Sequence, residues 1–81
     1  MCFVYVLYSH LLNRYYVGMT CENLQERLRR HNTNHKGYTG KANDWDIKYF
    51  EEFENKRDAL KKEREIKSRG AKRYLQAKGI V

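Results

Sequence analysis

The stretch "RYYVGMT" (Arg14–Thr20) places two adjacent tyrosines, a β-branched valine and a glycine side by side. Valine and tyrosine suit the pleated surface of a strand. A glycine inside a strand leaves nothing to pack and weakens it. Side chains alternate between the two faces of a strand, so Tyr16 and Gly18 share a face. A bare position beside a phenol is expected to form a notch, low enough for another backbone to approach closely.

The neighbouring segments extend this strand into a fold. Residues 3–8 (FVYVLY) are almost all β-branched or aromatic and read as a buried strand, joined to the first by the turn "SHLLNR" in an antiparallel hairpin. By alternation Phe3, Tyr5 and Leu7 face one way, and Val4, Val6 and Tyr8 the other. At "CENLQERLRRHN" the period changes, and Asn23 followed by Glu26 resembles a capping box, predicting a helix to about Asn34. "HKGYTGKAND" is a glycine-bearing basic loop, and "WDIKYFEEF" predicts a third strand with Trp45, Ile47, Tyr49 and Phe53 on one side. Asn55 caps a second helix running to about Lys67, Gly70 breaks it, and "AKRYLQAK" forms a short last helix ended by Gly79. The order β-β-α-β-α-α predicts an α+β fold, a three-stranded antiparallel sheet with helices packed against it, as a single domain over residues 1–81.

Composition narrows the function. Net charge is +7 and aromatic residues make up 14% of the chain, with a pI of about 9.6. Charge is uneven: residues 27–43 hold five Lys or Arg and no Asp or Glu, and residues 54–81 hold ten basic against four acidic. A basic surface interleaved with aromatics points to a nucleic-acid partner. Cys2 and Cys21 are too few for a disulfide scaffold or a four-ligand zinc site, and are expected to be reduced thiols in a cytoplasmic protein. The opening has no basic n-region or cleavage site, and no apolar stretch reaches spanning length, so no membrane partner is expected.

Two helices carry polar groups on apolar faces. A helix turns about 100° per residue, so with Leu24 at zero Leu28 lies at about +40°, His31 at about −20° and Arg27 at about −60°. Singly, Arg27 reads as a snorkelling side chain and His31 as a satisfied semi-buried one; one helical turn apart beside the two leucines, they read as a pair with a task. In the second helix, with Ala59 at zero, Ile66 lies at about −20° and Glu63 at about +40°, inside the apolar sector. A carboxylate there is costly unless it meets a cation or a buried basic group. An ion pair with Lys67 at i+4 is the plainer alternative.

Tyr5, then Tyr16-Val17-Gly18, then Arg27 and His31 four apart, then Glu63 in a later helix, together resemble the GIY-YIG nuclease family. "FVY" stands where the family has Gly-Ile-Tyr and "YVG" where it has Tyr-Ile-Gly. The likeness spans nearly the whole chain and is greatest to the small stand-alone members named after the excision-repair endonuclease. The resemblance implies metal-dependent hydrolysis of phosphodiester bonds in DNA, with one Mg²⁺ or Mn²⁺ held by Glu63, weakly when substrate is absent. It further implies Tyr5 as general base, Tyr16 positioning water or phosphate, Arg27 stabilising the pentacovalent phosphate, and His31 orienting or deprotonating the phenol. On this reading positive charge from Arg27 and the metal favours the phenolate, and the notch at Gly18 admits the phosphodiester.

Arg30, Lys36, Tyr38, Lys41 and Lys67 are expected to contact the nucleic acid, by backbone and shape rather than base sequence. No small-molecule cofactor is expected. The first motif has Phe3 where the family has glycine, and no asparagine follows Asn55. A non-catalytic nucleic-acid-binding module that kept the fold is therefore the alternative. A protein-docking role for Lys72, Arg73 and Lys78 around Tyr74 and Leu75 ranks third.

Overall fold

The structure is a computed structural model that describes residues 1–33 and 42–81. The described elements are β1 (Cys2–Ser9), β2 (Arg14–Thr20), α1 (Leu24–Thr33), β3 (Asp46–Phe53), α2 (Lys56–Arg69) and α3 (Ala71–Ala77). The three strands form one antiparallel sheet in the order β2-β1-β3, so the order and class expected from the sequence hold. β1 is central, which explains why its residues form a continuous apolar run rather than an alternating one.

Each face of the sheet has its own core. On one face Val4, Val6 and Val17 pack with Ala59 and Ile66 of α2 and with Tyr74 and Leu75 of α3. On the other, Tyr5 and Leu7 pack with Leu24 of α1 and with Trp45. Ile66 and Leu75 are fully buried, and each such side chain contributes about 1.5–3 kcal/mol. That burial holds two otherwise highly charged helices to the sheet. None of the described helices is long and apolar enough to cross a membrane.

Both asparagine caps form. Asn23 Oδ1 accepts from the Glu26 N–H at 2.9 Å, and Asn55 Oδ1 accepts from the Asp58 N–H at 2.9 Å; removing such a cap costs about 1 kcal/mol. The Glu26 carboxylate turns to Arg29 instead of closing the box. The end of α1 is tied to the start of β3: the Trp45 N–H donates to Asn32 Oδ1 at 2.8 Å and Asn32 Nδ2 donates to the Trp45 carbonyl at 3.1 Å. α2 ends at Gly70, whose φ of 91° suits glycine.

Two expectations are corrected. Trp45, Ile47, Tyr49 and Phe53 do not share a side. The β1–β3 register shifts between Val6 and Leu7, and the extra residue moves Ile47 and Trp45 to the Tyr5 face while Tyr49 and Phe53 stay on the Val4 face. The cysteines are not free thiols but form a Cys2–Cys21 disulfide. The hairpin register pairs Phe3 with Thr20, so the next position outward sets Cys2 opposite Cys21, with Cα atoms 4.0 Å apart.

Candidate active site

Tyr5 sits at the middle of β1, opposite Gly18 of β2. A Cβ added at Gly18 would lie 2.5 Å from the Tyr5 hydroxyl, 2.6 Å from Cζ and 2.9 Å from Cε1. Gly18 is not in the left-handed region, so its backbone does not require glycine; the phenol does. The notch inferred from the sequence therefore exists, but Tyr5 fills it, and it is not open to a phosphodiester. The ring crosses Gly18 because only there does β2 leave room for it.

The Tyr5 hydroxyl meets His31 Nε2 at 2.9 Å. Tyr5 is 1% exposed and His31 8%. The two rings are 5.7 Å apart, the Tyr16 ring lies 5.1 Å from His31 and 6.5 Å from Tyr5, and Trp45 backs Tyr16 at 6.4 Å. Arg27, one turn before His31 on α1, lies beside the phenol; its Nε is buried without a hydrogen-bond partner among the described residues. Its Nη1 is 3.8 Å from Glu22. Glu63 comes from α2, in the opposite layer. Its side chain is only 17% exposed and pairs with Lys67 through Oε2 at 3.2 Å, so the plainer i+4 alternative is realised as well. Its charge still reaches the Tyr5 phenol, and Lys67 lines the same groove as Tyr16.

The protein's own groups, apart from any metal, set the electrostatics of the phenol. Burial pushes the Tyr5 phenol above its ordinary range and outweighs the lowering by Arg27, while Tyr16 and Glu63 raise it further. Arg27 alone does not favour the phenolate in this protein. Burial, then Arg27, hold His31 below its ordinary range, so the imidazole is neutral at pH 7. A neutral Nε2 can accept the phenol's proton.

Among the described residues no three His, Cys, Asp or Glu side chains cluster to cage a metal. Glu63, paired with Lys67 on α2, is shielded from bulk water on most of its surface, and its charge reaches the Tyr5 phenol. One carboxylate completed by water suits Mg²⁺ or Mn²⁺, which keep much of their hydration shell, and does not suit a structural zinc cage. The donor set fits a hard divalent cation.

The expected nucleic-acid contacts fare unevenly. Arg30 is exposed but bonded to Glu22 at 3.1 Å, and Lys67 is partly neutralised by Glu63. Lys36, Tyr38 and Lys41 lie outside the described residues. Sequence reasoning missed Glu22, which follows β2 directly and faces both Arg27 and Arg30. It also missed Trp45 as the wall behind Tyr16, because the β3 irregularity hid its face.

Comparison with known proteins yields a match to the GIY-YIG catalytic domain over residues 1–75. No curated protein and no solved structure matches the chain. The matched span takes in all three strands, α1 and α2 and most of α3, with Tyr5 and the Tyr16-Val17-Gly18 tripeptide on neighbouring strands. The chain belongs to the GIY-YIG family and has its nuclease fold.

Proposed function

We propose that the chain is a metal-dependent endonuclease that hydrolyses phosphodiester bonds in DNA, directed by substrate structure rather than base sequence. The observation that supports this most is the buried Tyr5–His31 hydrogen bond beside an Arg27 Nε that lacks a partner among the described residues.

In this reading Tyr5 is the general base, acting through His31. An ordinary phenol, with a pKa of about 10, is ionised in about one molecule in a thousand at pH 7, and burial lowers that fraction. A preformed phenolate is therefore scarce before a metal binds. Instead neutral His31 takes the phenol proton as the phenol oxygen takes one from the attacking water. The water oxygen bonds to phosphorus, and the bond to the leaving oxygen breaks with its electron pair staying on that oxygen, which takes a proton from solvent. The resulting imidazolium, disfavoured by burial and by Arg27, passes its proton to solvent. Arg27, whose side chain is 36% exposed, donates from its outer guanidinium N–H groups to the phosphoryl oxygens as their charge builds. Tyr16 positions the water or the phosphate. Glu63 would hold Mg²⁺ or Mn²⁺, which when bound supplies charge neutralisation at the phosphate and at the leaving oxygen.

The test mixes purified protein with supercoiled, branched and single-stranded DNA, with Mg²⁺, with Mn²⁺ and with chelator. Metal-dependent cleavage that Glu63→Ala abolishes is expected. Cleavage by Glu63→Ala equal to wild type removes Glu63 from its role. A wild type that binds every substrate and cuts none makes the chain a binding module that retained the fold.

A further inference from the structure

Three hollows lie around α3, two of them forming a groove along the free edge of β2 and one between α2 and α3. The largest, about 510 Å³, lies between β2 and the α2–α3 junction, with Tyr15 and Val17 on one side and Lys67, Lys72 and Arg73 on the other. The one between α2 and α3 shares Arg73 with it. A third joins it at Tyr15 and Lys72 and reaches Arg14. None of the three is lined by a described Asp or Glu.

Arg14, Lys72 and Arg73 make no ion pair among the described residues. The cations of α1 contrast with them, since Arg27, Arg29 and Arg30 all face Glu22 or Glu26. The β2 edge is thus one face whose cations make no ion pair among the described residues, and it gathers three of them around an apolar hollow. It is continuous with the candidate active site through Tyr16 and Lys67.

We propose that this groove seats an unpaired stretch of the substrate strand beside the scissile phosphate. The proposal deepens the nuclease reading and rests on it for what happens at the site, but nucleic-acid binding alone tests it. A duplex presents phosphates and sugars outward and keeps its base faces stacked, so an apolar wall gains nothing from it. An unpaired strand offers base faces to the half-buried Tyr15 ring and phosphates to Arg14, Lys72 and Arg73. The main hollow lies within the ~300–1,000 Å³ range typical of pockets that enclose a small ligand. β2 ends the sheet, so its outward N–H and C=O groups can meet base edges. The same edge could take a strand from an acidic peptide, and the experiment includes that occupant.

The experiment follows the fluorescence anisotropy of a labelled single strand and of the duplex of the same sequence, in chelator, over a salt series. The Lys72→Ala/Arg73→Ala protein is compared with a charge-matched control, Lys56→Ala/Arg57→Ala. All four residues are exposed, so both proteins keep the fold, which circular dichroism checks. Two lost phosphate contacts at about 0.7 each lower the slope of log K against log salt for the single strand by about 1.4. The control keeps the wild-type slope, and the duplex responds less than the single strand. The proposal is overturned if both variants weaken binding alike, or if the duplex loses as much as the single strand. It is also overturned if poly-glutamate binds the wild type and the single strand does not. Loss of cleavage with this binding pattern intact would count against the nuclease reading only; cleavage without the pattern would count against the groove only.

Discussion

Gly18→Ala adds one methyl group at the point where Tyr5 crosses β2. At an ordinary strand glycine the change stabilises by about 0.5–1 kcal/mol, because the unfolded chain loses freedom. Here the new carbon would lie 2.5, 2.6 and 2.9 Å from three atoms of the phenol, where carbon contacts need about 3.5–4.0 Å. The ring must retreat by roughly 1 Å. It has nowhere to go: Tyr5 is 1% exposed, packed among Leu7, Leu24 and Trp45, with its hydroxyl held by His31. Overpacking costs about 1–3 kcal/mol and loss of the hydrogen bond about 1 kcal/mol more. After the entropic gain is subtracted, a net loss of about 1–3 kcal/mol is expected in urea denaturation. Cleavage by the folded fraction should fall by about 10²-fold, the scale of a 1 Å misplacement of a reacting group.

The sign of the stability change is the decisive reading, since entropy and crowding push in opposite directions. Tyr5→Phe should not relieve the clash, because Cζ and Cε1 remain. Tyr5→Leu should relieve it, so Gly18→Ala made in that background turns neutral or stabilising, with a coupling energy of about 1–3 kcal/mol in the double-mutant cycle. A Gly18→Ala protein that is more stable than wild type, with activity unchanged, would refute the seating of the phenol on Gly18.

Stability should also fall at both ends of the pH range. The unfolded chain protonates His31 near pH 6.5 while the folded one resists, so stability declines as pH drops through that value; the unfolded chain ionises Tyr5 near pH 10 while the folded one holds its proton, so stability declines again above about 10. His31→Asn should flatten the acid limb and Tyr5→Phe the alkaline one, in melting temperatures taken across both. Lys67→Ala removes the ammonium that competes for Glu63, and Mn²⁺ affinity of the free protein, read by electron paramagnetic resonance, should rise about twofold, the scale of an i,i+4 pair; an unchanged affinity would remove Glu63 as the ligand. Reducing Cys2–Cys21, with a sequence separation of 19, should cost about 3 kcal/mol. In a chain of this size that lowers the melting temperature by about 15 °C, and equal melting with and without dithiothreitol would contradict it.

What could be read from the sequence was what local chemistry decides. Asn23 and Asn55 announce helix starts because their side chains cap amides within the next turn, and residues 3–8 announce a buried strand by composition. The polar groups beside apolar stripes pointed to Arg27, His31 and Glu63 because helix geometry fixes direction from spacing alone. Charge counted along the chain misled: residues 27–43 look free of acid, yet Glu22 and Glu26 fold back onto Arg27, Arg29 and Arg30. The unpaired cations of the groove stand on β2 and on α3, the latter within the basic stretch 54–81 that the same count picked out. The β3 irregularity left no local mark either, since one extra residue changes faces without changing composition.

The deeper omission was the β1–β2 register. The pairing that sets Tyr5 opposite Gly18 also sets Phe3 opposite Thr20 and so brings Cys2 to Cys21. A slip of one residue would place Tyr5 against Val17 or Met19, where a side chain occupies the space its ring needs, and would turn the apolar set of one strand to the wrong face. The disulfide at one end and the bare glycine in the middle therefore select the same alignment. Once that alignment is fixed, the phenol has one place to lie, across Gly18 and against His31, and α1 needs only its own 3.6-residue turn to bring Arg27 beside it. The site is thus specified by strand pairing, a property of two segments taken together, which no motif read along one segment contains.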